Sequence, residues 1–190
     1  MSGAVGDGRR RILTFLGGVA VFAVTAAVLA AFGQPWIAPD GTVTLWGMGG
    51  TTSQQFFDWY TLSHILHGFL FYFALWLVAR RQPLGVRALV ALAVEAGWEI
   101  LENTPWIIDR YRDVTVSGDY VGDTILNSMS DILAMLVGFF LAARLPVWMT
   151  VVIAIVMELV AAWVIRDNLA LNVIMLIYPL DGILAWQQGG

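Results

Sequence analysis

Residues 123–143 read DTILNSMSDILAMLVGFFLAA. The second half is apolar without a break, and the whole is about as long as the ~20 residues a helix needs to cross a bilayer. The first two turns differ. Asp123, Asn127 and Asp131 recur at i, i+4 and i+8, so they share one helix face. Ser128 and Ser130 add hydroxyls beside them. Asp123 suits a helix N-cap, a role aspartate fills well. Asp131 lies about two turns deeper and needs a partner, because ionisable groups inside a membrane are costly and by default mark a working site. The stretch thus points to an all-α membrane protein and supplies its first candidate functional residues.

Working outward, four more stretches have the same character. Residues 12–32 are apolar throughout and follow Arg9, Arg10 and Arg11. Val28, Leu29 and Ala30 could pass as a signal-peptide cleavage site, but the run is long for an h-region of ~7–15 residues, which favours an uncleaved anchor. Residues 60–78 end at Arg80, Arg81 and the helix-stopping Pro83. Residues 87–102 are short and polar at their end, and residues 147–165 follow Arg144 and Pro146. The tail, residues 169–186, is apolar but interrupted by Pro179, Asp181 and Gly182. It reads as a short interfacial or re-entrant helix, with a sixth crossing as the rival. The expectation is a single integral membrane domain over residues 1–190, a bundle of about five transmembrane helices plus that C-terminal segment.

Composition agrees. The chain is 59% hydrophobic with a mean hydropathy of +0.76, where a soluble domain has ~45–50% apolar residues. It has no cysteine, which excludes disulfides and thiolate metal sites and leaves histidine and carboxylates as the strong ligands. A formal charge of −4 argues against nucleic acid as a partner. All ten basic residues are arginine. With the N-terminus inside, the inner segments hold Arg9, Arg10, Arg11, Arg80, Arg81, Arg87 and Arg144, and the outer ones hold only Arg110, Arg112 and Arg166. That bias predicts a cytoplasmic N-terminus. The outer loop, residues 33–59, has no arginine. Its Trp36, Trp46, Phe56, Phe57 and Trp59 suit a membrane–water interface, and the loop is placed across the outer mouth of the bundle.

Three ionisable clusters fall on that same outer side. His64 and His67, the only histidines, are three residues apart and share a helix face; they read as metal ligands, an acid–base pair, or interfacial residues. Glu95, Glu99 and Glu102 form a column about 10 Å tall on one face of the third span. Like charges so placed must be protonated, paired or bridged by a metal. The third cluster is Asp123, Asn127 and Asp131. Between the last two lie Arg110, Tyr111 and Arg112. An arginine fork suits a carboxylate or phosphate, so these arginines either neutralise neighbouring acids or bind an anionic head group. Carboxylates outnumber cations, which leaves either protonated acids or a bound divalent cation. Glu158, near the middle of the last span, reads most simply as a protonated glutamate bonded to another helix.

A histidine near the start of one span, a glutamate ending the next, an arginine-bearing segment and then Asp123-Thr-Ile-Leu-Asn127 resemble the pattern of VanZ-like membrane proteins over about half the chain. The chain departs from that pattern after Asn127, where Ser128-Met129-Ser130-Asp131 stand in place of a glycine. A closer resemblance spans most of the chain. Trp98-Glu99-Ile100-Leu101-Glu102-Asn103-Thr104-Pro105, Arg110-Tyr111-Arg112 and Gly122 through Asp131 look like an uncharacterised family of multi-pass inner-membrane proteins from alphaproteobacteria. That resemblance implies an inner-membrane location and no activity.

The leading expectation is a periplasm-facing pocket that hydrolyses a lipid or lipid-linked envelope substrate, or transfers a group on it. His64, His67, Glu99, Glu102, Asp123, Asn127 and Asp131 are the candidate catalytic residues, and Arg110 and Arg112 the candidate head-group ligands. His64, His67, Glu99 and Glu102 are the candidate ligands of a divalent metal ion. Membrane lipids are the expected partners, with protein partners left open. The rivals are a proton- or cation-coupled transporter working through Glu95 and Glu158, and a non-enzymatic scaffold or binding protein whose polar cluster locks helices together.

Overall fold

A computed structural model describes residues 2–189. It contains eight α-helices and no sheet among the described residues. These are α1 (Ser2–Ala31), α2 (Thr61–Ala79), α3 (Leu84–Glu102), α4 (Pro105–Val114), α5 (Ile125–Ala142), α6 (Val147–Ile165), α7 (Leu169–Ile177) and α8 (Asp181–Gln187). Four segments are long and apolar enough to cross a membrane: Gly8–Ala31, Thr61–Ala79, Ile125–Ala142 and Val147–Ile165. Their outward faces carry exposed Phe15, Leu70, Phe73, Leu133, Val151, Ile155 and Leu159. So much apolar surface has no place in water, and lipid is the solvent that covers it in a multi-pass membrane protein.

Helix α3 is as long as α2 but more polar. Its buried residues are Ala88, Ala91, Leu92, Glu95, Ala96 and Glu99, a stripe at helical spacing, so its glutamates point into protein rather than lipid. It begins at Leu84, three residues before the expected start, because Pro83, with its fixed φ and no amide hydrogen, fits at the N-cap, where no intrahelical bond is lost. The core lies between α3 and α5, where Leu92, Ala96, Ile132, Met135 and Phe139 are buried together, with Phe22 of α1 and Tyr72 of α2 packed against them.

Helix α2 packs most extensively against α5, and two glycines permit it. A Cβ on Gly68 would collide with the backbone of Met135 and Phe139, and one on Gly138 would collide with the backbone of Ile65. Small residues let helix backbones touch where lipid supplies no hydrophobic drive. Gly68 is one turn beyond His64, so this crossing also sets how near His64 comes to α5.

The tail forms two short helices, broken at Pro179. α7, with nine residues, rises about 13 Å, under half of a ~30 Å hydrocarbon core. Glu158 bonds to another helix as expected, and that helix is the short α7. Its two carboxylate oxygens accept the Leu169 and Ala170 amides, each at 3.0 Å, so it caps α7, where a helix leaves unpaired donors that favour an anion.

Candidate functional site

The site is assembled around the start of α5. Thr124, not Asp123, is the N-cap: its hydroxyl accepts the Asn127 amide at 3.1 Å. The two preceding orphan amides are satisfied by the long loop. Ile125 donates to the Pro35 carbonyl at 2.8 Å and Leu126 to that of Trp36 at 3.1 Å. Asn127 donates its side-chain amide to the Gln55 carbonyl at 2.9 Å, and Thr124 donates its backbone amide to Ser53 at 2.9 Å. The loop is therefore built into the bundle, with Gln55 and Asp58 each only 1% exposed. Ser53 takes a left-handed φ of 65°, an uncommon conformation for a residue with a side chain. It is held there by the Thr124 bond and by its own amide donating to Asp58 Oδ2 at 2.7 Å.

Freed from capping, Asp123 is gripped by Asn103. The Asn103 side-chain amide donates to Asp123 Oδ2 at 2.9 Å, and its oxygen accepts the Asp123 backbone amide at 2.7 Å. The Tyr120 hydroxyl adds a third bond at 3.0 Å. Burial, with the Asp123 charge beside it, pushes the Tyr120 hydroxyl well above its usual pKa. Tyr111 is pushed up likewise by burial and by the neighbouring Glu102.

One turn into α2, His64 Nδ1 lies 2.6 Å from Glu95 Oε1 and 3.4 Å from Glu99 Oε1. His67 Nδ1 lies 3.1 Å from both oxygens of Glu95. Glu95 is completely buried, so one carboxylate anchors both imidazoles. His64 turns its other nitrogen toward Asp131, 3.8 Å away, and Asp131 accepts a 3.1 Å bond from Thr61. Above this group opens a cavity of about 1010 Å³ lined by His64, His67, Glu102, Asp123, Asn127 and Asp131. Its remaining walls mix polar side chains, among them Gln54, Ser63, Asp119 and Asn172, with aromatic and apolar ones such as Trp59, Trp98, Phe71 and Val164.

Thus the structure brings His64, His67, Glu99, Glu102, Asp123, Asn127 and Asp131 to one place. It does not bring the arginines there. Arg110 donates to the Leu176 carbonyl at 3.0 Å. Arg112 donates to the Tyr120 carbonyl and pairs with Asp109 at 3.5 Å on the exposed side. Neither lines the cavity. The reason is α4, which sequence reading treats as loop; a helix there turns both arginines toward the tail and the surface. Thr104 followed by Pro105, an N-cap and a first-turn proline, is the signal that marks it. Of the residues that matter, Glu95 is visible in the sequence only as part of its column, and Asn103 and Asp58 have no pattern that singles them out.

The family described as "Protein of unknown function (DUF2585)" matches residues 29–189. A UPF0314 protein of Sinorhizobium fredii is 52% identical, over 96% of this chain and 95% of its own. A UPF0314 protein of Paracoccus denitrificans is 54% identical, over 84% and 87%. Another from Sphingopyxis alaskensis is 49% identical, over 90% and 93%. No solved structure matches the chain.

Proposed function

The chain belongs to the DUF2585 family, and from that premise we propose that it is an enzyme of the bacterial inner membrane that hydrolyses, or transfers a group on, an amphiphilic envelope substrate. The observation that carries the reading is the cavity itself: two carboxylate-held histidines and further carboxylates in a cavity whose surface is otherwise mostly apolar. A lipid fits such a space with its head group among Glu102, Asp123 and Asp131 and its chains along Phe71, Val94 and Val164. The cluster activates water or a head-group hydroxyl. Neither Arg110 nor Arg112 is placed to take a phosphate, so recognition falls to carboxylates, hydroxyls and rings, which favour a head group bearing hydroxyls or an amine.

The arrangement in the membrane belongs to the same proposal. α1, α2, α3, α5 and α6 cross as one domain, with the N-terminus cytoplasmic by the arginine bias and the cavity on the periplasmic side. α7 and α8 lie at the outer boundary. The likeness to VanZ-like proteins rests on four short pieces and adds only an envelope setting. A transport reading has less support. Glu158 is committed to α7, and beneath the histidines Leu92, Ile132, Met135 and Phe139 fill the bundle.

The test is incubation of detergent-purified protein with envelope lipid extract, followed by mass spectrometry of head groups. The expected result is a changed lipid class, with His64→Ala and Glu102→Gln at least ~100-fold slower, the scale of losing an acid–base contribution. Absence of any changed lipid, together with cells indifferent to His64→Ala, overturns the reading.

A further inference from the structure

The two histidine rings and the carboxylates nearest them, Glu95 and Glu99, lie closer together than an acid–base pair requires. One ring nitrogen each of His64 and His67 and one Glu95 oxygen lie within 4.8 Å of one another. Glu95 presents both oxygens to His67 at equal 3.1 Å distances while also meeting His64 at 2.6 Å. Glu99 supplies an independent observation. Its Oε1 is buried with no hydrogen-bond partner, in a side chain 1% exposed, and it sits 3.4 Å from His64 Nδ1. A buried carboxylate oxygen without a donor is costly, and this one faces His64 Nδ1, the same nitrogen that meets Glu95.

We propose that His64, His67, Glu95 and Glu99 form a site for one divalent transition-metal ion of the zinc class. Two imidazole nitrogens with carboxylate oxygens are the donor set that zinc takes in catalytic sites. Oxygen-only donors would instead suit magnesium or calcium. The ion gives the Glu99 oxygen its missing partner and offsets the charge of carboxylates that no arginine reaches. His64 and His67 line the cavity while Glu95 and Glu99 lie behind them, so protein holds the ion on one side and the cavity leaves the other open to water or a head group. The same His64 and Glu99 also converge with Glu102. Glu102, however, lines the cavity and has the Tyr111 hydroxyl beside it, which suits a residue facing substrate. The site deepens the enzymatic reading by assigning what activates the water, and it stands or falls by metal binding alone.

The experiment uses the full chain purified in detergent without chelator, loaded with Zn²⁺ or Co²⁺, desalted and measured by elemental analysis and visible absorption. The expected result is about one ion per chain and cobalt ligand-field bands. Both should be lost in a Glu95→Gln/His67→Gln double variant and retained in Asp123→Asn. Stripping the wild type with EDTA should lower its thermal midpoint, and Zn²⁺ should restore it; this readout does not depend on whether the double variant folds. Wild-type protein that keeps no ion after desalting and whose midpoint ignores EDTA overturns the proposal. So does equal metal in the wild type and a folded double variant. Bound metal with no lipid turnover would sustain the site and sink the enzymatic reading. Turnover by protein that retains no ion under any loading would do the reverse.

Discussion

Helices α5 and α6 are neighbours of nearly equal length, and both are apolar enough to cross a membrane. In α5 ten residues are buried, among them Asn127, Ser128, Ser130 and Asp131. In α6 only Ala161 is. The more polar helix is the buried one. In water the opposite sorting would hold, since burial there follows apolarity. In lipid an apolar side chain gains nothing by leaving the surface, whereas a polar group must find protein. The pair therefore separates two kinds of span: one that carries the site and one that faces the solvent.

The sharpest way to break this contrast is to add bulk. Gly68→Leu or Gly138→Leu should cost about 3 kcal/mol or more, beyond the usual overpacking range of ~1–3 kcal/mol because backbone is what they strike. Ile155→Ala or Val156→Ala on the exposed face of α6 should leave the thermal midpoint in detergent almost unmoved. Equal effects on both helices would end the distinction. A smaller loss is expected at the clamp that holds the start of α5. Asn103→Leu leaves Asp123 without two of its bonds and should cost ~1–3 kcal/mol. Hydrogen exchange should show the opening near residues 120–127 rather than in α6. The smallest loss expected concerns the one acidic side chain of α6, apart from the near-neutral changes on its exposed face. Glu158→Gln keeps one acceptor for two amides and should cost about 0.5–1 kcal/mol. The tail should become more accessible to protease while α5 stays protected. If proton flux in proteoliposomes also disappeared, Glu158 would be a relay and not a cap.

Most of the helices are legible in the sequence because length and apolarity are local properties. Residues 147–165 coincide with α6, and residues 60–78, 87–102 and 123–143 differ from α2, α3 and α5 by at most three residues at an end, whereas α1 begins at Ser2, ten residues before the expected start. α4 is missed because its sequence mixes Asp109, Arg110, Arg112 and Asp113 with apolar residues over only ten positions, although Thr104-Pro105 marks its start. The tail's two helices follow from Pro179. Within the candidate site, His64, His67, Glu99 and Asp131 stand out because ionisable residues are rare in such stretches. Asp58 and Asn103 do not, since buried polar residues in a loop or at a helix end look like any surface residue until their partners are known. The arginines mislead for the complementary reason: charge is visible in a sequence, but the direction of a side chain is not.

From the amino acids alone came a helical membrane chain, its main spans and the faces on which its ionisable groups sit, because a period of 3.6 residues and the cost of charge in lipid act along one helix at a time. Only the tertiary structure decided that Glu95 holds both histidines, that Thr124 rather than Asp123 caps α5, and that the arginines turn away. Those outcomes depend on how close two backbones come at Gly68 and Gly138, and on which distant carbonyls meet the first amides of α5. Such distances between segments remote in the chain are set by packing, which no local pattern encodes.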